Sequence, residues 1–177
     1  MSRLQDLTGA PVRDLLGNLC LSKAGLAIGT VKSGINTANT INFTIGGVYQ
    51  TAKTAMTSQA LAPGAAGNLF SRDGKQQGNT YVQPANTTVF YTVSLNAAGT
   101  VAFSQGTYAG QVLTDPTQNG VSTGGDGLVP NAPAGYTPFG VIKVVTGATT
   151  FTPGATLFDA ANVTTTFYDV AVLPNTL

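Results

Sequence analysis

The chain has 177 residues, a net charge of +1, 42% apolar residues and only 8% charged ones. It contains no His, no Glu, no Trp and a single cysteine, Cys20. This excludes His-based catalytic triads and His-based zinc sites, an internal disulfide framework, and the basic stripe that nucleic-acid binding requires.

The seven carboxylates are all Asp and stand singly at Asp6, Asp14, Asp73, Asp115, Asp126, Asp159 and Asp169. Paired carboxylates could hydrolyse a sugar, but no spacing here selects a pair. No phosphate-binding glycine loop occurs. The sequence thus predicts no enzyme, no cofactor, no nucleic-acid partner and, with no apolar run of about 20 residues, no membrane span. Globular chains usually carry about 25% charged residues. A surface of Thr, Asn, Ser and Ala suits permanent packing against neighbours, where every buried charge would need a partner. The start lacks the apolar run of a secretion signal. The sequons at Asn42, Asn86 and Asn162 read as strand and turn residues.

Residues 1–35 read as an N-terminal arm with a short helix. Pro11 suits a first helical position. Val12, Leu15, Leu16 and Leu19 follow at helical spacing and form the candidate interface. Asp14 complements the first turn; Gly17 weakens the helix by ~1 kcal/mol. So short a helix must dock, either on its own core or on a neighbouring subunit. Cys20, between Leu19 and Leu21, reads as a small buried hydrophobe. A reactive thiol would need a cationic neighbour, and Lys23 is the local candidate. Leu21 to Val31 fits an irregular strand.

Residues 36–177 read as one β domain. Ile41, Phe43 and Ile45 alternate with polar residues, and Gly46-Gly47 predicts a tight turn into Val48–Thr51. Residues 52–79 promise short strands at best. Val89, Tyr91, Val93 and Leu95 share one face of a strand over 88–95, and the turn Asn96–Gly99 leads back through Val101 and Phe103. A long loop covers 106–137, where Gly124–Gly127 resembles one copy of a calcium-binding repeat, too few oxygens for a site. Phe139–Val145 reads as a strand buried on both faces. The last strand runs from Val163 to Leu173, with Phe167 opposite Tyr168, Val170 and Val172. This pattern predicts an all-β fold: an antiparallel β-sandwich or jelly-roll-like barrel carrying the N-terminal helical arm.

Three blocks carry a resemblance: Leu21–Gly29 with Asn39–Gly47, the hairpin Tyr91–Val101, and Pro133–Val145 through Phe167–Val170. Together they resemble small β-rich virion proteins of tailed bacteriophages, of the head decoration, cement or head-fibre type. The resemblance spans roughly residues 20–173, with 106–130 as an insertion. It implies a homo-oligomer, often a trimer, bound to the major capsid protein on the virion's outer surface, with no catalytic residues. A tail-fibre or spike module binding a host glycan through Tyr108, Tyr136 or Asn residues is the alternative. A bacterial surface or pilus-like subunit is a third.

Overall fold

The computed structural model describes residues 17–64, 66–71, 74–77, 81–107 and 129–171. Those residues form ten strands: β1 (Leu26–Ile28), β2 (Gly34–Thr37), β3 (Thr44–Ile45), β4 (Val48–Tyr49), β5 (Gln59–Ala60), β6 (Leu69–Phe70), β7 (Thr88–Asn96), β8 (Val101–Gln105), β9 (Tyr136–Thr146) and β10 (Val163–Asp169). The fold is all-β, and no helix occurs among the described residues. Three open sheets result, in the orders β10-β9-β7-β8-β6, β1-β2-β5 and β3-β4. All pairings are antiparallel except β6 with β8.

β7 lies inside the large sheet and pairs with β8 on one side and β9 on the other. Its β-branched and aromatic residues suit a pleated, enclosed strand. Val89, Tyr91, Val93 and Leu95 alternate inward, as the sequence predicts, and all are buried. Opposite them β9 contributes Ile142 and Val144, and β8 Val101 and Phe103. β9 is buried on one face only, because Val141, Lys143 and Val145 stay half-exposed; its apolar run had suggested both faces. Between Val93 and Ser94 the register with β9 slips by one residue. Val93 faces Gly140 and Ser94 faces Pro138, which makes Phe139 the extra residue of a β-bulge. Pro138 has no ladder donor, so a break in pairing falls naturally beside it. The bulge leaves the consecutive residues Phe139 and Gly140 both buried.

Gly140 admits the other sheet. A Cβ there would lie 2.5 Å from Leu26 Cδ2 of β1. Leu26, Ile35, Ile41, Phe43 and Leu61 join the inward residues of the large sheet in one core cluster. The Gly46-Gly47 turn forms as its sequence predicts, with φ of +56° and +72°, and joins β3 to β4. Among the described residues of 52–77 the strands are β5 and β6, two residues each.

Residues 20–35, read as arm, supply Cys20, Ala24, Leu26 and Ile35 to this core. Leu19 is extended: its N–H donates to Thr44 O at 3.2 Å, and its carbonyl accepts from Thr44 N at 2.8 Å. Its stripe partners Val12, Leu15 and Leu16 lie outside the described residues. So do Pro11, Asp14, the 108–128 part of the long loop, and Val172 with Leu173 at the end of the last strand. That strand closes at Asp169.

A buried polar knot pins the start of β7 to the end of β9. Gln83, fully buried, donates through Nε2 to Val144 O at 3.1 Å and Thr87 O at 3.3 Å. Its Oε1 accepts from the Tyr91 hydroxyl at 3.3 Å. Thr146 Oγ1 donates to Pro84 O at 2.7 Å and accepts from Thr87 N at 3.0 Å. Each partner left unsatisfied costs roughly 1–3 kcal/mol. Gln83→Leu should therefore lower the melting temperature by several degrees, at about 2–4 °C per kcal/mol for a chain of this size. An unchanged melting curve would show that the knot contributes nothing.

Candidate interaction surface

Paired residues in a sheet share a face, so the outward face of the large sheet follows from its register. β7 presents Thr88, Phe90, Thr92 and Ser94; β9 presents Val145, Lys143 and Val141; β10 presents Thr164, Thr166 and Tyr168. The β7–β8 half is covered. Thr92 donates to Pro130 O at 2.6 Å, and Thr92, Ser94 and Ser104 are buried. The rings of Phe70 and Tyr136, from the strands flanking the β7–β8 pair, meet with centroids 6.3 Å apart. The β9–β10 half is open: Thr164 and Thr166 are exposed, and Tyr168 is 47% exposed. Lys143 is the sole charge among these outward residues, flanked by the half-buried Val141 and Val145.

β10 also ends the sheet. Val170 N–H donates to Phe139 O, and Asn162 O accepts from Gly147 N–H. Even-numbered residues therefore turn their backbone groups toward β9, and the pairing across 163–169 is regular. Odd-numbered residues turn theirs away, as Val163 N–H does in donating to Ala160 O. Thr165, Phe167 and Asp169 present N–H and C=O along the outer edge, and no described strand pairs with them there.

The remaining sequence candidates scatter. Asp159 pairs with Lys32 at an exposed site, while Asp169 accepts from Leu26 N–H at 3.0 Å. The two carboxylates thus have different partners, a lysine side chain for Asp159 and the backbone of β1 for Asp169. Among the described residues no group of three His, Cys, Asp or Glu could share a metal ion. Asp73, Asp115, Asp126, Gly124–Gly127 and Tyr108 lie outside the described residues. Tyr136 is half-buried, its hydroxyl accepting from Asn96 Nδ2 at 3.4 Å. Asn86 and Asn162 occupy left-handed turn positions with φ of +58° and +64°. Asn42 accepts from the Tyr49 hydroxyl at 2.6 Å. Period-2 alternation marks the outward residues, but nothing in the sequence tells which half of that face is covered. No helix among the described residues is long and apolar enough to cross a membrane.

Cys20 is 2% exposed, pairs across a bridge with Phe43, and donates from Sγ to Ser22 O at 3.1 Å. Burial pushes its thiol above the ordinary value, a backbone hydrogen bond at Ser22 partly opposes this, and the negative Asp169 adds to it.

No protein-family model, curated protein or solved structure matches the chain.

The environment of Cys20 predicts an inert thiol. A maleimide should label native protein at pH 8 on the order of tenfold or more slower than denatured protein. Because the folded thiol ionises later than the unfolded one, its contribution to stability is complete below about pH 9 and declines as pH rises further. Rapid labelling of the native state would contradict this packing.

Proposed function

We propose that the chain is a structural virion protein, a capsid decoration or cement protein that stabilises a phage head from its outer surface. In this reading it is an antiparallel β-sandwich, self-associated, with the major capsid protein as partner and no enzymatic role. The observation that carries it is the open β9–β10 face. Val141, Val145, Tyr168 and the threonines offer apolar and hydroxyl surface around the single charge of Lys143. Covering such a face requires little desolvation of charge. Each well-buried aliphatic or aromatic side chain contributes ~1.5–3 kcal/mol, and a symmetric shell repeats the contact at every capsomer boundary. The arm residues Val12, Leu15 and Leu16 supply a second contact in the same reading, while Leu19 pairs with Thr44 of the chain's own β3.

Added to purified capsids of its phage, the protein should bind in near-stoichiometric copy number and raise the temperature at which they come apart. Binding to host cells or glycans, with few copies per virion, would replace this reading with a receptor-binding module. Changing Leu15 and Leu16 together to Asp should abolish decoration while leaving the melting of the β core unchanged. Normal decoration by that variant would remove the arm from the contact.

A further inference from the structure

We infer that the outer edge of β10 pairs with β10 of a second copy of this chain, making one continuous sheet across a two-fold axis. Natural sheet edges are blunted by shortness, Lys, Pro, a bulge or a covering segment. β10 is seven residues long, contains no Pro or Lys, and pairs with β9 without a bulge. Its one charge, Asp169, sits at the last position and is engaged by Leu26 N–H. Thr165, Phe167 and Asp169 thus present a row of donors and acceptors, unpaired by any described strand, that another extended strand can take from water.

The strand's own copy is the matching partner. A partner strand must itself have a free edge, and among the described residues β10 is the long strand that has one. The opposite end of the same sheet is the two-residue β6, whose Leu69 carbonyl accepts from Gln77 N–H and whose Phe70 bridges to Gln76. Antiparallel pairing of two β10 strands about Thr166 sets Thr165 of one copy opposite Phe167 of the other. On the outward face it sets Thr166 against Thr166 and Thr164 against Tyr168. Threonine and aromatic–threonine pairs are favourable cross-strand neighbours, and no like charges meet. Each Asp169 falls opposite a Val163, whose N–H is already given to Ala160 O, so the reciprocal bonds of the new ladder are those of Thr165 with Phe167. A two-fold closes on itself and leaves no new edge at the junction. This departs from the trimer that the resemblance implies, and it concerns the free protein whether or not the protein decorates capsids.

The test uses the whole chain without capsids. Sedimentation equilibrium over a range of concentrations should give twice the chain mass, or a multiple of it. Thr165→Pro removes one outward N–H and no bond to β9, so it should halve that mass while keeping a cooperative melt. Thr165→Val, which loses only the hydroxyl bond to Phe158 O at 2.8 Å, should associate like the parent. It separates the backbone donor from the side chain. A monomeric parent, or a Thr165→Pro variant that folds and retains the parent mass, overturns the proposal. If Thr165→Pro fails to fold, replacing Thr164 and Thr166 by Lys leaves the backbone groups intact and brings like charges together across the axis. Retention of the parent mass by that variant overturns the proposal equally. A monomer that binds capsids through this edge also overturns it, in favour of a foreign strand.

Discussion

The double pairing of β7 is the constraint on which the rest of the molecule depends. Its nine residues pair with β9, and Tyr91–Leu95 of them also pair with β8 on the other side. Along Tyr91–Leu95 the backbone groups are met from both sides, and the inward row of the strand can be wholly apolar. Val89, Tyr91, Val93 and Leu95 supply the floor onto which Leu26, Ile35, Phe43 and Leu61 fold. The Gln83 knot then fixes where β7 begins, because its hydrogen bonds reach β9 at Val144 and β7 at Tyr91.

From this frame the asymmetry of the large sheet follows. One edge ends in a two-residue strand backed by the chain at Gln76 and Gln77. The other ends in β10, seven residues with a regular ladder to β9 and, among the described residues, no strand on its other side. The outward face is asymmetric in the same sense, covered by Pro130 and the Phe70–Tyr136 ring pair over β7 and β8, and open over β9 and β10. Open face and open edge therefore coincide on one strand. With so few charges in the chain, that strand lacks the lysines by which edges are usually kept apart.

Much of this was legible in the sequence where periodicity is strong. The inward row of β7, the Gly46-Gly47 turn and the alternation of Ile41 and Phe43 are local properties, and local pattern specifies them. The bulge at Phe139 was not legible, because it arises from matching β9 to β7, residues distant in sequence. Nothing in the sequence singles out Gln83, whose partners at Thr87, Tyr91 and Val144 come together only in the fold. Leu19 fits a helical spacing, yet its backbone pairs with Thr44, so tertiary pairing overrides the pattern there. The coverage of the outward face depends on the return of the chain at Pro130, which no spacing encodes.

Residue-resolved amide hydrogen exchange, followed at dilute and at high protein concentration, tests the account most directly. β7 amides should be the slowest at both concentrations. In β10 the even-numbered amides Thr164, Thr166 and Tyr168 should be protected throughout, while Thr165, Phe167 and Asp169 gain protection only as the protein concentration rises. Rapid exchange along β7, or odd-numbered β10 amides that stay fast at every concentration, would contradict it.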